Sequence, residues 1–172
     1  MTQTATIQTP TTQTATTQIF EIYIKADPQK IWDAITDPAW TARYGYQGRA
    51  EFDLRAGGVA RHHANAQMRQ MGLPEVIIDG EVLESAPPHR LVTTYRWLFS
   101  EENKAEGFTR VTWEIVVTTA GFCKLTVTHD LAGAPMMARA ISSDFSEQGG
   151  GGWSWILSDL KSLLETGATL RG

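Results

Sequence analysis

Four histidines, His62, His63, His89 and His129, and a single cysteine, Cys123, are the side chains in this 172-residue chain best suited to ligate a metal or move a proton. A metal or catalytic site needs several such groups converging at ligand spacing, and these are scattered. His62 and His63 are neighbours in a segment of strand character, so they point to opposite faces and could share a site only through a bulge. His89 sits in the turn Ala86-Pro87-Pro88-His89. The pattern predicts no metal, no cofactor and no catalytic residue, and one cysteine rules out both an intramolecular disulfide and a cysteine zinc cluster.

His129 stands apart because strand alternation puts it on the face of Cys123, Leu125 and Val127, the candidate concave face. Two readings stay open, a hydrogen-bonded histidine closing a strand, which is favoured, and a polar group that orients a ligand. As a general base it lacks a partner, since the adjacent Asp130 faces the other way.

Aromatic side chains are the richer signal: Trp32, Trp40, Tyr44, Tyr95, Trp97, Trp113, Trp153 and Trp155. Tyr95 and Trp97 share a strand face with Leu91 and Thr93, and large rings with one polar atom suit a pocket that orients an apolar ligand. The candidate pocket residues are Trp40, Tyr44, Tyr95, Trp97, Trp113, His129, Trp153, Leu157 and Leu160. Simple core packing is the competing reading, favoured for Trp32 and evenly balanced for Trp97, Trp113 and Trp153. Trp155 falls off the apolar helix stripe and is expected to be exposed.

Gly149, Gly150, Gly151 and Gly152 form a run with no Gly-Lys-Ser/Thr ending, so it does not read as a phosphate loop. The run marks a helix start, a kink or a flexible lip, and as a lip it would admit ligand.

The elements that position these residues follow from periodicity. Phe20, Ile22 and Ile24 alternate with Glu21, Tyr23 and Lys25, the pattern of a half-buried strand beginning at Ile19. Asp27-Pro28 and Thr36-Asp37-Pro38 each supply a cap followed by proline, predicting two short helices, the second over Ala39 to Arg43. Six further strands follow, over Ala50–Arg55, Val59–Ala64, Val76–Glu84, Arg90–Phe99, Arg110–Thr118 and Phe122–His129, separated by Gly57-Gly58, the Pro-rich turn and Thr119-Ala120-Gly121. Trp153, Ile156, Leu157, Leu160, Leu163 and Leu164 share one helical face, with Ser154, Asp159, Lys161 and Glu165 placed off it. A curved antiparallel sheet of about seven strands wrapped around that terminal helix satisfies all of this, an α+β helix-grip architecture.

Composition sets the limits. Hydrophobic residues are 42% and charged residues 20%, the balance of one globular domain over residues 19–172. Residues 1–18 are Thr/Gln-rich, with Thr2-Gln3-Thr4-Ala5-Thr6 repeated as Thr12-Gln13-Thr14-Ala15-Thr16, and read as a disordered tail. A net charge of -4 gives no footprint for nucleic acid, and no stretch is long and apolar enough to insert in a membrane. With no secretory signal either, the expected location is cytoplasmic. Arg55, Arg61 and Arg69 with Glu51, Asp53 and Glu75 read as a solvated face.

The order of elements, together with Ile31-Trp32-Asp33-Ala34-Ile35-Thr36-Asp37-Pro38, Arg55-Ala56-Gly57-Gly58, Gly80-Glu81-Val82-Leu83-Glu84 before Pro87-Pro88-His89-Arg90-Leu91, Leu125-Thr126-Val127-Thr128-His129, and Gly152-Trp153 with Leu157, Leu160 and Leu164, resembles the SRPBCC superfamily. That superfamily holds START domains, the birch-pollen allergen and polyketide cyclases. Within it the chain is similar to the C-terminal domain of the activator of the heat-shock protein 90 ATPase, over residues 19–166. It departs from that pattern where Ala56 replaces the usual turn proline and in the four-glycine run.

A shared fold hosts many activities. Three functions follow. The leading one is non-catalytic binding or carriage of a small hydrophobic or aromatic ligand. The resemblance implies a second, a co-chaperone-like activator of the heat-shock protein 90 ATPase in the stress response. A third is an enzyme of the cyclase, aromatase or hydratase kind, with His129, Tyr95 or Glu84 shuttling protons. The chain is expected to be a monomer or a weak homodimer.

Overall fold

The computed structural model describes residues 16–146 and 149–172. Most of the expected tail therefore lies outside the described residues. The first strand, β1 (Thr17–Ile24), begins two residues before the expected boundary. Gln18 explains part of this, because its amide Nε2 donates to the Ala138 carbonyl and to Ser142 Oγ.

The chain continues through α1 (Pro28–Thr36), α2 (Pro38–Thr41), β2 (Arg49–Phe52), β3 (Val59–His63), α3 (Ala66–Gln70), β4 (Val76–Ala86) and β5 (Arg90–Trp97). It closes with α4 (Glu101–Ala105), β6 (Thr109–Val117), β7 (Cys123–Asp130), α5 (Pro135–Ile141) and α6 (Gly152–Thr166). The strands form one antiparallel sheet in the order β1-β7-β6-β5-β4-β3-β2, which makes β1 and β2 its edges. This is the helix-grip arrangement, with α6 lying against the concave face.

Local chemistry explains the element ends. Asp27 accepts from the Gln29 amide at 2.8 Å and Asp37 from the Ala39 amide at 2.7 Å, so each aspartate caps the helix that its following proline begins. The second helix is shorter than expected and ends at Thr41, whose hydroxyl instead accepts from the Ala50 amide of edge strand β2.

Three short helices, α3, α4 and α5, escaped the sequence reading. Asn65 and Ser100 cap the first two. The α5 start has no capping side chain of its own, and Glu106, from the distant turn after α4, accepts from the Met136 and Met137 amides. Isolated helices this short are marginal, so periodicity carries little signal for them.

Asp159 is a second correction. Placed off the apolar stripe by its charge, it is 2% exposed. Its carboxylate accepts from the Gly45 amide at 2.8 Å and the Leu170 amide at 2.6 Å, pinning the loop after α2 and the chain's last residues onto α6. Two backbone donors satisfy the buried charge, which is why α6 tolerates it.

Candidate functional site

The concave face has a densely filled half and a looser half. In the first, β1, β6, β7, α1 and α6 bury Ile24, Ile31, Leu125, Val127, Leu157 and Leu160 to 1% exposure or less. His129 is equally enclosed and both its ring nitrogens are engaged. The Trp153 indole N–H donates to Nδ1 at 3.1 Å, and Nε2 lies 2.8 Å from the Thr109 hydroxyl, which donates to the Tyr95 carbonyl at 2.7 Å. One proton arrangement satisfies the chain: Nδ1 accepts, so Nε2 carries the hydrogen and gives it to Thr109. Burial pushes the His129 pKa down to about 4, with neighbouring Asp130 opposing, so the ring is neutral at ordinary pH.

The rings around His129 interlock. Tyr95 stands edge-on to it at 5.3 Å, Trp153 contacts Tyr95 at 6.1 Å, and Trp113 meets Trp153 at 5.1 Å. The structure thus brings together six of the nine sequence-predicted residues: Trp113, His129, Trp153, Leu157 and Leu160 are buried, and Tyr95 packs against them partly buried. Two others sit differently. Tyr44 is buried with its hydroxyl on the Ala34 carbonyl, and Trp40 lies half-buried on α2 beneath the Arg43 guanidinium.

Trp97, the ninth, belongs to the looser half, built from the inner faces of β2 to β5. Here Phe52, His62, Tyr95 and Trp97 are only partly buried. His62 touches Phe52 on one side at 5.7 Å and Tyr95 on the other at 6.2 Å, while Trp97 packs on Phe99. Ala60 and Gly80, directly paired across β3 and β4, contribute almost no side chain to this face. Gly80 is required by the backbone: a Cβ there would overlap the Thr94 carbonyl oxygen where the sheet coils tightly.

Burial, with His63 adding to it, pushes the His62 pKa down to about 4. Burial likewise raises that of Tyr95, so both groups are uncharged. Among the described residues, no hydrogen bond engages either His62 ring nitrogen, and the Tyr95 hydroxyl has the Trp97 indole and the Tyr46 phenol near it.

His62 and His63 divide as alternation requires, even though the β3–β4 register shifts between them. His63 turns to the opposite side, 2.7 Å from Glu51. Glu51, Phe52 and His63 help to line an open hollow of about 320 Å³ at the β2 edge, so Phe52 belongs both to this hollow and to the inner aromatic row. A second hollow of about 530 Å³ lies on the outside of α6. There Trp155, expected to be exposed, stacks on Phe145 at 4.2 Å under Arg171 and is only partly exposed.

The glycine run starts α6, with Gly151 as its N-cap at φ 83°. Added Cβ atoms at Gly150 and Gly152 would overlap the Asp144 and Ile141 carbonyl oxygens, so the backbone here is closely packed. Tyr46 donates its hydroxyl to the Gly150 carbonyl at 2.5 Å, tying the run to the loop before β2.

Phe52, His62, Thr109 and Asp159 are the residues that sequence reasoning missed at these positions. Alternation did carry a signal for His62, which shares a face with the small Ala60. Thr109 has no local signal, because its role depends on the β6–β7 register. Among the described residues no group of three or more His, Cys, Asp or Glu side chains could hold a metal, and no helix is long and apolar enough to cross a membrane.

The family model of the activator of Hsp90 ATPase homolog 1-like proteins matches residues 25–165. The chain belongs to this family. No curated protein matches it. Among solved structures it is similar to protein MLL2253 from Mesorhizobium loti, at 20% identity and TM-score 0.63 over 86% of this chain and 96% of that one. It is also similar to the Aha1 dimer from Colwellia psychrerythraea, at 18% identity and TM-score 0.61 over 88% and 97%. A third is PFC0360w, an HSP90 activator from Plasmodium falciparum, at 22% identity and TM-score 0.53 over 91% and 92%. At these identities the likeness is one of fold.

Proposed function

We propose that this member of the family binds and carries a small hydrophobic or aromatic molecule on the inner face of the β2–β5 half, among Phe52, His62, Tyr95 and Trp97. One observation carries the reading: large rings and uncharged polar groups are left partly uncovered in this half, beside small Ala60 and Gly80. Such a mixture suits a site where apolar contact gives affinity and a few polar atoms fix orientation. The hollow at the β2 edge, walled in part by Phe52, is the approach.

Carriage is favoured over catalysis because Trp153 and Thr109 occupy both nitrogens of His129, which leaves it no lone pair for proton transfer. Titration with the uncharged fluorescent probe N-phenyl-1-naphthylamine tests the proposal. Saturable binding that weakens at least tenfold in Trp97→Ala is expected, and a linear, unsaturated response would refute it.

The family's name and the Plasmodium falciparum structure support a second reading, stimulation of a chaperone ATPase. Adding the purified chain to an Hsp90 ATPase assay separates the two. Stimulation that survives Trp97→Ala favours the co-chaperone.

A further inference from the structure

We infer that the ligand is an uncharged molecule carrying a hydroxyl group on or beside a flat ring, with His62 and Tyr95 gripping that hydroxyl. The inference rests on the proposed site and specifies its chemistry.

Three ligand classes can be weighed against the groups present. A purely apolar molecule would dry out the His62 nitrogens and the Tyr95 hydroxyl without replacing their water, and a buried polar atom left unpaired opposes binding. An anion such as a carboxylate would pass Arg49 at the β2-edge hollow but would meet no cation among Phe52, His62, Tyr95 and Trp97. Arg96 is held by both carboxylate oxygens of Asp79 on the other face of the sheet, at 2.9 and 2.6 Å, and His63 is turned away toward Glu51. His62 itself stays neutral, so nothing offsets the desolvation of a charge.

A hydroxyl fits both partners. A neutral imidazole offers one acceptor and one donor nitrogen, and a protonated phenol offers one hydrogen and two lone pairs. A group that gives one hydrogen bond and takes another can satisfy His62 and Tyr95 together. The ring of the ligand is set by the neighbours, since Phe52, His62, Tyr95 and His129 succeed one another edge to face at 5.7, 6.2 and 5.3 Å. A further aromatic plane extends that packing pattern.

The test compares 2-naphthol with 2-methoxynaphthalene and 2-naphthoate at pH 7, by calorimetry on the full chain. We expect 2-naphthol to bind at least tenfold more tightly than either. His62→Phe and Tyr95→Phe should bring it down to the level of 2-methoxynaphthalene while changing the affinity for the ether less than twofold, and circular dichroism reports whether each variant is folded. The comparison among ligands on the unaltered chain stands even if a variant unfolds. Equal affinities, or tightest binding of 2-naphthoate, would overturn the hydroxyl while leaving the pocket in place. Saturation by none of the three would overturn both.

Discussion

The two halves of the concave face are made from the same kinds of residue but use them differently. Where β1, β6 and β7 meet α1 and α6, Leu125, Val127, Leu157 and Leu160 are wholly enclosed, and the one histidine among them has both nitrogens bonded. Where β2 to β5 curl away, the aromatic side chains are large, their neighbours Ala60 and Gly80 small, and the inward histidine, His62, has no hydrogen-bond partner among the described residues. The contrast teaches that enclosure alone does not mark a site. A buried polar group with its bonds complete specifies the fold, whereas one with bonds to spare is available to a ligand.

The largest effect should come from the filled half. Leu160→Ala is expected to cost about 3 kcal/mol in urea unfolding, because its cavity cannot collapse between helix and sheet. Phe52→Ala, in the looser half, should cost less than half as much. Equal losses would erase the distinction between the halves.

Acid sharpens the comparison. The folded His129 pKa is lowered to about 4 from 6.5, so below 6.5 the unfolded chain takes up a proton that the folded one refuses. The stability contribution is complete above pH 6.5 and is lost as pH falls toward 4, on the order of 3 kcal/mol. Protonating Nδ1 would also set two donors, the imidazolium and the Trp153 indole, against each other. In His129→Asn the stability should depend less steeply on pH across this window, and a parallel curve for the two proteins would show that another group governs it.

Asp159→Ala should release two amides, at Gly45 and Leu170, and cost about 2 kcal/mol. Hydrogen exchange checks it directly, with protection lost at both amides together. Glu106→Ala uncaps α5 and should cost about 1 kcal/mol. The smallest change is expected for His62→Gln, within about 0.5 kcal/mol of the unaltered protein, because no hydrogen bond among the described residues is lost. A loss as large as that of Leu160→Ala would break the contrast from the other side.

The architecture was largely legible because its signals are periodic. Alternation in β1, the repeated aspartate-proline starts of α1 and α2, and the leucine face of α6 each belong to residues close together in the chain. What escaped depends on distant partners. Glu106 caps a helix thirty positions away, and Asp159 is welcome in the core only because two loops bring amides to it. The aromatic inventory singled out Tyr95, Trp97, Trp113 and Trp153, which the structure packs within or against the core. Composition could not tell which of them pack against each other and which leave room, since that depends on the β3–β4 and β5–β6 registers. His62 was discounted as one of a scattered set, although its place opposite Ile78, one alternate residue from Ala60, puts it on the inner face.

The strand order has one more consequence. Among the described residues β1 pairs only with β7, and the ion pair between Glu21 and Lys124 joins residues 103 positions apart. As the polypeptide leaves the ribosome, the Phe20, Ile22 and Ile24 stripe therefore emerges long before the surface that will cover it. Closing that gap requires a large chain loop late in assembly, which slows folding and gives chaperones their longest opportunity at the very first strand.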